Sequence, residues 1–411
     1  MLESDRIHHA LKSLRTVMER TAMDDPELSA ALAGTTVEEL LSEVASTLEG
    51  ESFPRHAALA LRVFEEIGLP KDQPELMGII IQGIAKAHER LGNSNEAYDA
   101  YQRALNLAET AGNRSLAAGC LRRMGRVMMR MAQWDNATEL LNKSEDLYSK
   151  LNDKIGHAEA LCDIGSVHYQ RGNLREAEKA YAVALKAAEE ADNVRLVINL
   201  ENNLGVIANI RGDIDAAIAH YRTSADMAEK IRNEPLLAQA YQNLGMAYAD
   251  RADWRQAGEC YEKALELAHR NGIANIVGTV HLNRAHMYLE LGDTTMASVA
   301  CGRALSMFRT TRDRLSEAEV YRVLGDIFIR RGNEATGMKM FDQCLQMTKL
   351  ADAPLETAET YQAIGSAHEQ LGHFDQAVEA LGEALRHFRQ VEAHADAQKI
   401  EEALARLRSV A

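Results

Sequence analysis

Four asparagines, Asn199, Asn202, Asn203 and Asn209, fall within one short segment, NLENNLGVIAN. On an α-helix, at about 100° per residue, they share an arc of about 120°. A carboxamide donates and accepts at once, which suits the N–H and C=O groups of an extended main chain. Asn243 and Asn283 repeat the Asn203 position, and Gln239 and Gln242 extend the strip. Asn in a helix interior costs up to about 0.7 kcal/mol relative to Ala, so four on one helix cost about 2 kcal/mol and need a compensating role. Two roles fit: holding the backbone of a bound peptide, or bridging neighbouring helices.

A second cluster is cationic. In LRRMGRVMMR, Arg122, Arg123, Arg126 and Arg130 share an arc of about 100°, with no acid between Glu109 and Asp135. Arg322 and Arg330 occupy equivalent positions further along the chain, with Lys86 and Arg90 one repeat before. Clustered guanidinium groups suit carboxylate or phosphate ligands. The plainer alternative is a face balanced by acids on adjacent helices, such as Glu89, Glu159 and Asp163.

Other chemistry is not indicated. His368 and His373 in HEQLGH are five apart, whereas the zinc-protease pattern needs i, i+4 on one helix. His88, His168 and His368 stand where other repeats carry Tyr248, Tyr288 and Phe328, which reads as packing between helices. His281 and His286 have no carboxylate or cysteine at ligand spacing. The five cysteines form no CxxC pair, and the methionines fall at helical core spacing. Phosphate-loop, GxSxG and GxGxxG patterns are absent. The expectation is a non-enzymatic protein with no metal and no cofactor.

The elements that position these residues follow from composition and period. Of 411 residues, 46% are apolar and 26% charged, with only six prolines, which points to an all-helical globular chain. A net charge of −15 disfavours binding to nucleic acid or anionic lipid. No apolar run reaches a membrane span of about 18 residues, and the polar N-terminus has no signal-peptide core. A cytoplasmic setting is expected.

Small residues recur every 40 positions, at Ala45, Ala85, Gly125, Gly165, Gly205, Gly245, Ala285, Gly325 and Gly365. A second ladder runs from Gly92 through Ala132, Gly172, Gly212 and Ala252 to Gly372, and a third from Ala57 to Ala377. A bulky ladder includes Leu61, Tyr101, Leu141, Tyr181, Tyr221, Tyr261, Cys301, Phe341 and Leu381. Each unit reads as two amphipathic helices joined by a turn, with small residues permitting close approach. Asn93 with Glu96, Asn173 with Glu176 and Asp253 with Gln256 have the spacing of capping boxes. Pro54 is placed at the start of a second helix, and Pro70, Pro74, Pro235 and Pro354 between repeats.

Tyr241, Leu244, Gly245, Tyr248, Ala257, Tyr261 and Ala264 resemble the tetratricopeptide repeat pattern, in the 40-residue form of kinesin light chains and bacterial peptide receptors. The resemblance implies a right-handed superhelical solenoid of about nine helix-turn-helix repeats with helical caps. The boundaries are 1–37 for an N-terminal cap or accessory hairpin, then repeats at 38–77, 78–117, 118–157, 158–197, 198–237, 238–277, 278–317, 318–357 and 358–397. A polar-rich capping helix over 393–409 overlaps the last. Arg284 in the Leu position and Cys301 in the aromatic position depart from the pattern, and weaker packing or a joint is expected there.

First helices line the concave wall in this family, which implies a scaffold binding an extended peptide or protein segment through the asparagine strip. The alternative is a ligand-responsive regulator, a peptide sensor or sensory subunit whose superhelix changes shape on binding. The implied partner is a protein or peptide, without nucleic acid or membrane; exposed edges of a helical stack also allow self-association.

Overall fold

A computed structural model describes residues 74–351, 353–391 and 393–410. The expected N-terminal cap over 1–37, nearly all of the repeat at 38–77, and Ala45, Pro54, Ala57, Leu61 and Pro70 lie outside the described residues. Among the described residues there are seventeen α-helices and no strand. In chain order they are α1 (Pro74–Leu91), α2 (Ser94–Thr110), α3 (Arg114–Arg130), α4 (Trp134–Lys150), α5 (Lys154–Gln170), α6 (Leu174–Glu190), α7 (Val194–Ile210), α8 (Ile214–Lys230) and α9 (Glu234–Asp250). There follow α10 (Trp254–Arg270), α11 (Ala274–Glu290), α12 (Thr294–Thr311), α13 (Arg314–Arg330), α14 (Glu334–Leu350), α15 (Pro354–Gln370), α16 (Phe374–Gln390) and α17 (His394–Val410).

The described residues fall into two compact units, one reaching Val167 and including Lys186–Asp192, the other comprising His168–Leu185 and the chain from Asn193 onward. In the first unit α1 to α4 pack each on the next, and α1 also touches α3. In the second, α7 to α17 pack each on the next. The odd-numbered first helices of that unit touch each other as well, α7 on α9, α9 on α11, α11 on α13 and α13 on α15. The all-α repeat architecture is therefore built from helix pairs whose first members adjoin.

The pairs begin at residues 74, 114, 154, 194, 234, 274, 314 and 354, four before the frames counted from the small-residue ladder. N-caps set these starts. The Asn113, Asn193, Asn233 and Asp313 side chains accept from the backbone N–H three residues on, as do Asp213, Asp253 and Asp293 before second helices. Asn93 does not cap α2: its Nδ2 lies 3.4 Å from His88 Nδ1 instead. The prolines also stand differently from expectation. Pro74, Pro235 and Pro354 lie in first turns of α1, α9 and α15 rather than between helices, where their missing N–H leaves no intrahelical bond unmade.

Every described turn carries a left-handed residue, spaced 20 apart. Gly212 has φ +80° and serves this conformation without strain, whereas Ala252 adopts φ +60° with a Cβ present. The sequence ladder marks only alternate turns; of the others, two use Gly112 and Gly272 and four use Asn152, Asp192, Arg232 and Arg312 at positive φ.

Helix pairs close on each other at the small-residue ladder. A Cβ on Gly205, Gly245 or Gly325 would fall under 3.0 Å from the ring of Tyr221, Tyr261 or Phe341, each almost wholly buried. Gly125 and Gly365 admit Leu141 and Leu381 in the same way. Where Cys301 replaces the aromatic, Ala285 replaces the glycine, and both are fully buried. The smaller knob is met by a fuller socket, so the expected weak packing is absent at this point. The division into units falls at α5 and α6, not here.

Gly245→Val forces the Tyr261 ring out of its place and is expected to destabilise the second unit by about 1–3 kcal/mol. Gly258→Ala in α10, where an added Cβ meets nothing within 4 Å, is expected to stabilise by up to about 1 kcal/mol. Urea unfolding midpoints of the two variants check the contrast.

Candidate functional site

The asparagine strip is divided by the packing of first helices. Asn202 is only 3% exposed; its Nδ2 donates to Ser224 Oγ of α8 at 2.8 Å, and its Oδ1 accepts from Asn243 Nδ2 of α9 at 3.4 Å. Asn243 is itself buried. Asn209 Nδ2 donates to Asp250 Oδ2 of α9 at 2.8 Å, and its enclosed Oδ1 has no hydrogen-bond partner among the described residues. The expected open face thus does not include Asn202 and Asn243. Their edge of the arc is where α7 meets α8 and α9, and a buried amide survives there because it is hydrogen-bonded. Asn202, Asn209 and Asn243 take the bridging role.

The other edge stays open. Asn199 and Gln239 are exposed, and Asn203, Gln242 and Asn283 are half-buried, so α7, α9 and α11 present amides in succession. Val206 and Met246, both half-buried, and exposed Ile210 share that arc. These apolar positions give an amphipathic surface on which amides can hold a main chain and apolar side chains can meet a ligand's own. Polar residue type does not mark these positions, although the same periodicity does.

The arginines of α3 are internally neutralised. Arg122 Nη1 lies 2.8 Å from Glu159 Oε2 and 3.6 Å from Asp163 Oδ2, and Arg126 Nε is 4.0 Å from Asp163 Oδ1. Arg123 Nη1 is 4.0 Å from Glu89 Oε1, to which Arg130 is also paired. Tyr101 Oη donates to the other oxygen of buried Glu89 at 2.7 Å. Burial, then Arg123, hold Lys86 down to about 8. An anion would have to displace three carboxylates, so the expected patch is an ion-pair network between α1, α3 and α5. The Arg90 side chain lies outside the described residues.

Arg322 belongs to the other unit, where it reaches Glu319 at 3.3 Å and Glu359 at 3.7 Å. Burial pushes Asp326, one turn on in α13, up to about 6 against the opposing pull of Arg322 and Arg330. The His368 and His373 rings are 5.8 Å apart and tilted. Among the described residues no group of three His, Cys, Asp or Glu side chains could hold a metal ion, and no helix is long and apolar enough to cross a membrane.

A family model described as tetratricopeptide repeat matches residues 116–190 and 196–269; two others of the same description match 358–386 and 81–115. Together they span just over half of the chain. No curated protein matches. Among solved structures, a Rap protein complexed with competence and sporulation factor is 16% identical with a TM-score of 0.60, covering 93% of this chain and 100% of that one. The Rap conjugation gene regulator of plasmid pLS20, in complex with a Phr peptide, is 13% identical with a TM-score of 0.52, covering 83% and 97%. A signal transduction ATPase with a tetratricopeptide repeat sensor, from Pyrococcus horikoshii, is 16% identical with a TM-score of 0.56, covering 91% and 54%. At these identities the likeness establishes the fold.

Two outcomes are expected from the packing described. Asn202→Ala leaves the Ser224 hydroxyl and the Asn243 amide without their partner and should cost about 1–3 kcal/mol. Adding Asn243→Ala should cost less than it does alone, because the shared bond is already gone; a double-mutant cycle by urea unfolding reads the coupling. Asp326 has a folded pKa of about 6 against an ordinary 3.8, so the native state takes up its proton first. This group adds stability as pH falls from about 6 to 4 and removes it as pH rises. Asp326→Asn should therefore stabilise the protein more at about pH 7.5 than at about pH 4.5, which unfolding midpoints at both values compare.

Proposed function

Because the chain belongs to the tetratricopeptide repeat family, we propose that it is a non-enzymatic interaction scaffold that receives an extended peptide along the first helices α7, α9 and α11. The fold fits a protein-interaction scaffold. The observation that carries the peptide reading is the open edge of the asparagine strip, where Asn199, Asn203, Gln239, Gln242 and Asn283 follow one another on three adjoining helices. Amides at a helical spacing can pair with successive main-chain groups without demanding one peptide sequence. Val206, Met246 and Ile210 would then take the ligand's side chains. The fold-level likeness to Rap proteins solved with competence and sporulation factor and with a Phr peptide supports the same class of ligand.

The buried asparagines act as positioning residues in this reading. Asn202 ties α7 to α8 and α9, which fixes the spacing between Asn203 and Gln242. A reducing, cytoplasmic setting suits the chemistry of the cysteines. None of the five is bridged, and burial pushes the Cys120, Cys162 and Cys301 thiols up to about 12, leaving them protonated.

Peptides selected against the protein from a random display library provide the ligand for a test. Gln242→Ala with Asn283→Ala should weaken a selected peptide by about tenfold or more, while leaving the unfolding midpoint within about 0.5 kcal/mol of wild type. Equal affinity for the double variant would remove the first-helix arc as the binding surface.

A further inference from the structure

The repeat formed by α11 and α12 departs from its neighbours in two core positions. Arg284 stands where Leu204 and Leu244 are buried, and His281 stands where Tyr241, Tyr321 and Tyr361 occur. The Arg284 guanidinium is drawn to Glu262 Oε1 on α10 at 2.6 Å and to Tyr288 Oη at 3.0 Å. Beside it lies a solvent-open groove of about 650 Å³ between α10, α11 and α12.

The charges around this groove are unequal once pairing is taken into account. Its two acids are engaged, Glu262 with Arg284 and Glu266 with Arg270 at 2.7 Å. Lys263 and Arg303 also line it and occupy the same position in consecutive second helices. Both are exposed, and neither forms an ion pair among the described residues. His281 completes the lining. It is 7% exposed, and no group among the described residues hydrogen-bonds its ring. Its imidazole can donate a ring N–H to a molecule that enters beside it.

We propose that this groove binds the oxyanion end of a small organic molecule, with Arg303 and Lys263 balancing its charge and a His281 ring N–H donated to it. Burial, reinforced by Arg303, Arg284 and His269 and opposed by Glu262, holds His281 down to about 4. It therefore meets the ligand as a neutral donor while the cations supply the charge. Positions 281 and 284 lie outside the first-helix arc, so the site is independent of the peptide surface.

The test uses the full chain and two probes, inorganic phosphate and succinate, titrated calorimetrically with sodium chloride holding ionic strength constant. Binding of at least one probe with a Kd below about 1 mM is expected. Arg303→Gln and Lys263→Gln, both at exposed positions, should each weaken it by about tenfold. Binding of phosphate alone assigns a phosphate-type group to the ligand, of succinate alone a carboxylate, and of both the shared oxyanion. No heat from either probe up to about 10 mM, or binding unchanged in Arg303→Gln, overturns the proposal.

Discussion

Everything in the second unit depends on how closely a first helix approaches its second. At Gly205, Gly245 and Gly325 the missing Cβ is replaced by the edge of Tyr221, Tyr261 or Phe341. Close-packed interiors leave no room for both a side chain and a ring, so the pair of positions fixes the depth and rotation of each helix at once. The left-handed residue every 20 positions then returns the chain at constant length. With depth, rotation and length all set, the outward arc of each first helix is set too. The exchange of glycine and aromatic for Ala285 and Cys301 shows the constraint acting on the pair rather than on either residue alone.

That rotation explains why one asparagine run plays two parts. Asn202 sits at the edge of the arc turned towards α8 and α9, and its amide is used inside the protein. Asn203, one residue and about 100° further round, stands at the half-open edge. The cost of asparagine in α7 is offset in part by bonds to Ser224, Asn243 and Asp250. A surface for a ligand is thus framed by residues that also join the repeats, which makes its geometry stiff before any ligand arrives.

The fold was legible because its determinants are residue types at a fixed period. Small-residue and bulky ladders directly mark the points where helices touch. Most of the intervening turns were not, since Asn152, Asp192, Arg232 and Arg312 adopt positive φ with no small-residue signature. Periodicity places Asn202 on an arc but cannot say which edge a neighbouring helix covers, because that depends on packing angle. The arginines of α3 have no acid near them along the chain; the acids that the plainer alternative named, Glu89, Glu159 and Asp163, pair with them from α1 and α5. Of the groove at His281 the repeat pattern marked only Arg284; what lies beside it needed the three helices together.

The central claim is that an extended peptide meets the first helices of the second unit rather than its second helices. A photoreactive side chain placed at position 199 or 239, on α7 or α9, can be compared in cells with the same group at 255 or 296, on α10 or α12; all four native residues are exposed. The account predicts a discrete adduct from 199 and 239 and none from 255 and 296. Adducts confined to 255 and 296, or formed equally from all four, would contradict it.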